Sequence, residues 1–561
     1  MYYGEIENTI IPLLDRVIKA LVTDSGACAI PQHELKSYEL EIPREKSHGE
    51  LSTNIAMKIS RLAGREPMAF ANLVKDKLEE GLHTSRLKEA VDRIEIKPPG
   101  FINFFLNKNY LSKILLEIAR KKDNFGRCGV GRGQKIQVEF VSANPTGPLT
   151  VAHGRQAAIG DALANILEFA GYDVTREYYI NDEGTQMDLL AASIRMRYLE
   201  LFGIKGQLPE GGYKGAYVAE IAKAIRKKSG RKFLKTKELK PFREFGLSWI
   251  MDDIKRDLKN FGVRFDVWYS QRALRRSGKI EKSIRLLRKK GYIYQHDGAV
   301  WFRTSAFGDD KDRVVFKSDG KHTYLAPDIA YHLDKYRRGF KKIIDIWGPD
   351  HHGYIPRIKA AVKALGYPEE SLSVLIVQLA TLTRGGKAVS MSTREGEFVT
   401  LGEVMDEVGK DVTRYCFLMR RISSHLDFDL DAVKSESQEN PVYYIQYAHA
   451  RIWSILGHSR SLRLSTKFDS RLFKEEEELE LLRALRRFPK AVVTSARSQE
   501  PYIILQYLQD LAAIFHSFYT RHRVVGDDLS LTKARLILVD CTRIVLANGL
   551  RLLGVSLPKK M

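Results

Sequence analysis

The sequence predicts an α/β chain built on a parallel sheet, with a small α+β unit before the sheet and an all-α bundle after it. Three observations carry that expectation. A strand, a loop, a helix and a second strand follow one another over residues 135–180, which is the βαβ unit of parallel sheets. Two further apolar strand patterns occur at 341–350 and 373–382. From about residue 430 onward the strand signal is gone. The expected units are 1–108, 109–430 and 431–561. More than one core is required, because single cores rarely grow past roughly 250–300 residues.

The first unit opens with Ile6, Ile10, Leu13, Leu14, Val17 and Leu21 at helical spacing, and a second helical stretch runs through Ile55, Ile59, Leu62, Leu73 and Leu78. It closes on KPPGFINFFL, where Pro-Pro-Gly breaks the chain and alternating apolar residues form a strand. The glycine-rich GRCGVGRGQ, 126–134, reads as a linker. From Lys135, KIQVEFV alternates Ile136, Val138 and Phe140 with polar partners, as a strand does. The helix after it sets Ala158, Ile159, Ala162, Leu163, Ile166 and Leu167 at steps of one, three and four, and Gly171 is placed to stop it. VTREYYI, 174–180, completes the unit, and the order predicts a Rossmann-like core. The Lys-rich stretch from about 190 to 290 reads as helical insertion. Near the end, Leu531, Ala534, Leu538, Cys541, Val545, Asn548 and Leu552 step by three and four, a helix seam with one polar position. KEEEELE, 474–480, reads as a solvated helix start.

Lys and Arg number 91 against 69 Asp and Glu, a formal charge of +22. A surplus of that size favours an anionic partner. Nucleic acid is the commonest, because its phosphates release counterions to a basic surface. The cysteines Cys28, Cys128, Cys416 and Cys541 lie far apart and form no Cys-x-x-Cys pair. That speaks against a zinc knuckle or a disulfide framework and fits a reducing cytosol. No basic start with a long apolar run opens the chain, and no apolar stretch reaches the ~18 residues a membrane span needs. A cytoplasmic protein with no membrane contact is expected.

The loop ANPTGPLTVAH, Ala143 to His153, follows the first strand of the sheet, and ligands bind beyond the carboxyl ends of such strands. Ala143, Asn144, Pro145, Thr146, Gly147 and Pro148 shape a tight turn there. The next helix offers free N–H groups and a positive dipole end to a phosphate. His153 and the Gly154 backbone sit where a triphosphate could bend over that end, and an imidazole can donate to charge growing on an α-phosphate. Read alone, a His-Gly pair is a helix cap, a Gly-Gly-Lys stretch such as 385–387 is a surface turn, and Asp328 is a helix-end carboxylate near Lys335.

The wider context is more specific. VEFVSANPTGPLTVAHGR followed by GDALANILEFAGYDVTREYYINDEGTQ resembles the arginyl-tRNA synthetases, and its centre resembles the HIGH signature of class I aminoacyl-tRNA synthetases. The family usually has His where this chain has Thr150, so His153 alone of the two histidines is kept. GGKAVSMSTREGEFVTL, 385–401, resembles the second signature, KMSKS, in which Met391 and Ser392 fit while Ser390, Thr393 and Arg394 replace lysine, lysine and serine. The resemblance implies an arginine–tRNA ligase. ATP, entering with Mg2+, activates L-arginine to arginyl-adenylate with release of pyrophosphate, and the 3′-terminal ribose of arginine tRNA then takes the arginine and frees AMP. It implies nucleotide contacts by the 143–148 turn, His153, Gly154, His351, His352, Ser390, Met391 and Ser392, and catalytic roles for His153 and Thr150. A cation must meet the departing pyrophosphate, and Lys387 and Arg394 are the two candidates.

Arginine selection needs carboxylates, since a guanidinium is a flat, permanently charged fork of donors. TYLAPDIAYHLDKY, 323–336, supplies Tyr324, Asp328 and Tyr331, with Tyr324 and Asp328 one helical turn apart. By resemblance, Asp328 grips the guanidinium and Tyr324 packs beside it, while Glu139 and Asn144 take the α-amino and carboxylate ends. Asp350, His351 and His352 are adjacent in sequence, and neighbouring side chains seldom converge on one ion, so no protein metal site is expected. QYAHARIWSIL, 446–456, and LTKARLILVDCTRIVLANGLRLLGV, 531–555, resemble the family's anticodon-binding bundle. That implies tRNA contacts by Tyr443, Tyr447 and Arg451, a mix suited to stacking bases and holding phosphates; Trp453 reads as core. SHGELSTNIAMKISR resembles the family's N-terminal domain, which implies contact with the corner of the tRNA. A monomer is expected. The rival reading is an RNA-binding protein that kept the fold and lost catalysis, for which Thr150 and Ser390 are the support.

Overall fold

Five parallel strands form the centre of the computed structural model, which describes residues 6–24, 38, 40–43, 45–83, 86–384, 387–388, 391–392, 397–431, 433, 441–459, 462 and 468–561. In space the strands run Leu372–Ile376, Lys342–Trp347, Lys135–Glu139, Asp173–Ile180 and Val267–Ser270. The first three in sequence step outward in one direction. The chain then returns to the other side of the Lys135 strand. The order therefore reverses between the Lys135 and Lys342 strands, and that reversal opens a crevice at their carboxyl ends.

The Lys135 strand ends at Glu139, two residues before the apolar alternation does. Val141 and Ser142 adopt φ of 67° and 37°, a left-handed conformation that a β-branched residue resists. This bend turns the chain out of the sheet and over the crevice. The helix that follows, Val151–Phe169, packs on Phe140 through Gly160, where an added Cβ would lie 2.2 Å from the Phe140 ring. Gly171, at φ 90°, ends that helix as expected.

Several expectations need correction. The apolar run 373–382 is not one strand: Leu372–Ile376 joins the parallel sheet, and Ala380–Arg384 pairs with Leu426–Asp429 in a second sheet. The fully buried Arg155 explains the break. Its guanidinium donates to the carbonyls of Gln378 (2.7 Å), Leu379 (3.2 Å), Arg421 (3.2 Å) and Ser424 (2.9 Å) and so holds the chain away from the first sheet. The stretch 190–290 contains the long helices Thr185–Glu200, Ala216–Ser229 and Lys240–Asn260, yet also the edge strand Val267–Ser270. After it, Ile293–His296, Ala299–Phe302 and Arg313–Phe316 form an antiparallel sheet, the first two joined by Asp297-Gly298 at φ 49° and 72°, a hairpin signal present in the sequence. The glycines of 126–134 are not a free linker. Gly131 and Gly133 donate to Ala170 O and Gly171 O at 2.9 and 2.8 Å, and a Cβ on Gly131 would lie 2.4 Å from Tyr172 N. The acidic run at 474–480 is not all solvated: Glu478 is fully buried and binds Arg535 at 2.8 Å.

The first unit sets the sheet Leu51–Thr53, Phe101–Leu106, Val91–Lys97 against helices. It is joined to the bundle by Arg486–Glu7 and Arg483–Glu50 pairs, each at 2.8 Å. The bundle consists of Pro441–His458, Glu476–Ser498, Tyr502–Arg521 and Leu529–Leu553. The polar seam position, Asn548, donates to Lys122 O and Phe125 O at 3.0 and 3.1 Å, satisfying carbonyls at the end of the Lys108–Lys121 helix. Among the described residues no helix is long and apolar enough to cross a membrane.

Candidate active site

Three carboxylates lie in register across three neighbouring strands, because Glu139 is aligned with Asp345 on one side and with Glu177 on the other. Residues in register on adjacent parallel strands share a face and stand about 5 Å apart. All three are buried, and such a row repels itself unless cations cover it. The Leu325–Arg337 helix supplies the cover. Lys335 Nζ, fully buried, binds Glu139 at 2.5 Å and Asp345 at 2.8 Å. Just past the helix, Arg338 grips Glu177 at 2.5 and 2.8 Å, and the Tyr331 hydroxyl donates to the same carboxylate at 2.6 Å. His332 adds a 2.9 Å bond to Asp345. Burial would raise the Asp345 carboxyl, but Lys335 and His332 together outweigh it and hold the group down to about 2. For Glu139 burial wins and the carboxyl is raised. Lys335 is thus the partner of Glu139 and Asp345, not of Asp328.

Beside this row the 143–148 turn lines a cavity of about 200 Å³ with Asn144, Thr146, Gly147, Pro148, His153, Gln186 and Tyr213. The turn is held by its own backbone and by two tyrosines: Thr146 N–H donates to Asn144 O at 2.7 Å, Tyr178 to Ala143 O at 2.8 Å and Tyr217 to Thr146 O at 2.7 Å. Asn144 donates to Gln186 at 2.9 Å. Ser142 donates to Glu139 at 3.0 Å and accepts from Tyr179 N–H, also at 3.0 Å.

His153 stands at the third position of its helix and Thr150 is the N-cap. The Thr150 N–H donates to His153 Nδ1 at 3.1 Å, and the Thr150 hydroxyl lies 3.1 Å from the same nitrogen. Burial pulls the imidazole down to about 4 against the opposing charge of Asp350, so the ring is neutral near pH 7. With Nδ1 taken as an acceptor, the ring's proton resides on Nε2, the nitrogen left for the cavity. Thr150 itself is 5% exposed, and its hydroxyl faces His153. Gly154 lets the two signature segments meet, since a Cβ there would lie 2.7 Å from Leu401 Cδ1. Leu401 N–H also donates to Leu149 O at 2.8 Å.

For the second signature, Lys387 pairs with Arg384 in a short hairpin, and Met391 and Ser392 pair with Phe398 and Glu397. Ser390, Thr393 and Arg394 lie outside the described residues. Asp328 is partly buried, and burial raises its carboxyl despite a 2.7 Å hydrogen bond from Tyr354. Tyr324 is 70% exposed. The phenol that reaches Asp328 is therefore that of Tyr354, which sequence reasoning missed because it sits on another element, 26 residues away. His351 and His352 are exposed on the Pro349–Tyr354 turn at the end of the Lys342 strand. Among the described residues no three His, Cys, Asp or Glu side chains gather as metal ligands do. In the bundle, the Arg451 guanidinium lies 5.0 Å from the ring centres of both Tyr447 and Tyr519 and bonds both hydroxyls. Tyr443 is half-buried on the same helix. Trp453 lies against Lys559 and Arg543, at 4.8 and 5.3 Å, and is less enclosed than a core residue.

Comparison with known proteins decides the family. The model described as "tRNA synthetases class I (R), catalytic domain" matches residues 115–419, "Arginyl tRNA synthetase N terminal domain" matches 8–106, and "DALR anticodon binding domain" matches 445–561. The chain is 50% identical over 535 residues to the arginine–tRNA ligase of Geobacillus kaustophilus, covering 94% of this chain and 95% of the relative. The chain belongs to the arginyl-tRNA synthetase family. The Bacillus subtilis arginine–tRNA ligase is 45% identical over 555 residues, with 98% of each chain covered. The arginyl-tRNA synthetase of Thermus thermophilus, 21% identical, shares the fold with a TM-score of 0.75 over 98% of this chain and all of that one. The arginyl-tRNA synthetase resemblance thus extends from two sequence signatures to the whole chain.

Proposed function

We propose that the chain ligates arginine to its tRNA at the expense of ATP. The observation that carries this reading is the 50% identity to an arginine–tRNA ligase over 94% of this chain, and it is supported by His153 lining the cavity of the 143–148 turn and by the Asp328 carboxylate held by Tyr354. The 143–148 turn, the Gly154 backbone, His351 and His352 bind the nucleotide, with Ser390, Met391 and Ser392 closing over its phosphates. Asp328 takes the guanidinium with support from Tyr354, and Asn144 meets the polar end of the amino acid. Glu139 contributes to that end while held by Lys335.

The arginine carboxylate oxygen attacks the α-phosphorus, the bond to the pyrophosphate oxygen breaks, and arginyl-adenylate forms. His153 donates from Nε2 to the α-phosphate oxygen as charge grows there. Lys387 or Arg394 meets the charge on the leaving group. The terminal ribose hydroxyl of the tRNA then attacks the arginyl carbonyl and expels AMP. Beyond these donors the protein mainly positions reactants. Magnesium rides on the nucleotide phosphates. Residues 1–108 meet the tRNA corner, 109–430 carry the chemistry, and 431–561 read the anticodon arm through Tyr443, Tyr447 and Arg451. The chain acts as a monomer in the cytoplasm.

The test is aminoacylation of total tRNA with each of the twenty amino acids, with and without ATP. ATP-dependent charging by arginine alone is expected. Tight tRNA binding without charging would replace this reading by that of an RNA binder that lost catalysis.

A further inference from the structure

The Lys-rich insertion is a charged feature that the reaction leaves unused. Residues 226–240 hold eight Lys or Arg against one carboxylate, Glu238, and all eight cations are exposed. Cations in the last turn of the Ala216–Ser229 helix answer its negative dipole end. That accounts for the three up to Lys228 and not for the five beyond the helix. Neighbouring cations are paired: Lys223 with Glu220 and Arg243 with Asp188, each at 2.8 Å. Among the described residues none of the eight has a carboxylate partner. Four of the charged heads lie over aromatic rings, Arg226 and Arg231 over Phe202 at 5.1 and 6.0 Å, Lys228 over Phe245 at 5.6 Å and Lys232 over Phe233 at 5.7 Å, and Arg226 also donates to Leu201 O at 3.1 Å; these contacts orient the cations without neutralising their charge.

The position of this surface names its partner. The helix begins at the nucleotide cavity, where Tyr217 bonds Thr146 O and Tyr213 lines the wall. Its 14 residues span about 20 Å, so the cations stand roughly that far from the cavity. A tRNA brings its terminal ribose into the cavity on an unpaired 3′ end, and the duplex behind that end carries its phosphates at a comparable remove. We propose that residues 226–240 form a phosphate-binding surface for the acceptor arm of the tRNA. This rests on the ligase reading only for the name of the RNA.

The test is fluorescence-anisotropy titration of the full chain against two RNA hairpins, one an acceptor and T stem with its 3′ end, the other an anticodon stem-loop. The variant K227A/K228A/R231A/K232A should bind the acceptor hairpin about tenfold more weakly and lower the slope of log Kd against log salt by about 3, close to one per lost phosphate contact. Binding of the anticodon hairpin, the arginine KM and kcat at saturating tRNA should not change. The second variant K235A/K237A should move the acceptor hairpin in the same direction by less. Unchanged affinity and slope would overturn the proposal, and so would an equal loss on both hairpins, which marks a diffuse field instead of a docking surface. If the acceptor hairpin responds but the chain charges no tRNA, the surface stands and the ligase reading falls.

Discussion

Replacing Lys335 by Met tests whether one buried cation holds two carboxylates of the row, Glu139 and Asp345. Lys335 is fully buried and spans Glu139 at 2.5 Å and Asp345 at 2.8 Å. Methionine has similar length and no charge, so packing is kept while two buried carboxylates lose their shared cation, leaving Asp345 to His332 and Glu139 to Ser142. Asp345 sits at about 2 against an ordinary 3.8, and that displacement corresponds to about 2–3 kcal/mol of stability at neutral pH. Adding the loss at Glu139 brings the expected cost to about 3–5 kcal/mol, the range for a broken buried pair. In a domain of this size that is a fall in thermal midpoint of about 6–10 °C. The pH dependence has a definite sign. The depressed Asp345 contributes stability above about pH 4 and loses it as pH falls toward 2. Glu139 is raised by burial, and without Lys335 it takes up a proton at higher pH still. Both effects narrow the gap between wild type and variant on acidification. Thermal unfolding at pH 7.5, pH 5 and about pH 3 measures this, with Lys335→Met/Asp345→Asn as the partner variant expected to recover part of the loss. An unchanged midpoint for Lys335→Met, or no recovery in the double variant, would refute the reasoning.

His153→Ala should slow adenylate formation about a hundredfold with tRNA affinity intact. Because burial holds His153 down to about 4, the activation rate of the wild type should show no limb near pH 6.5; a histidine limb there would mean the ring is not the neutral donor inferred. Thr150→Val should lower kcat for activation several-fold at constant ATP KM while Thr150→Ser retains it, since the hydroxyl acts on His153; a rise in ATP KM would instead make it a phosphate ligand. Asp328→Asn should raise the arginine KM about tenfold or more, as one charge-assisted pairing is lost, and Tyr354→Phe should raise it less. If only ATP binding suffers, the pocket assignment is wrong.

Much of this molecule was legible along the chain. The alternation of KIQVEFV, the stepping of the Val151–Phe169 helix and the stop at Gly171 fix a βαβ unit by local patterning alone, and the absence of strand patterns after residue 430 fixes the bundle. His153, Asn144 and Asp328 were legible as candidates because they stand in or beside recognisable motifs. What the sequence could not hold were relations between elements. That Asp345 and Glu177 flank Glu139 follows from strand register, and that Lys335 covers Glu139 and Asp345 while Arg338 takes Glu177 follows from where a helix lies. Arg155 looks like any surface cation in sequence, yet it splits an apolar run into two strands by binding carbonyls more than 220 residues away. Tyr354, not Tyr324, reaches Asp328 for the same reason. Periodicity and turn chemistry act over a few residues and determine elements. Burial and charge pairing act through space, so only the tertiary structure decided which polar groups the crevice keeps free for a substrate.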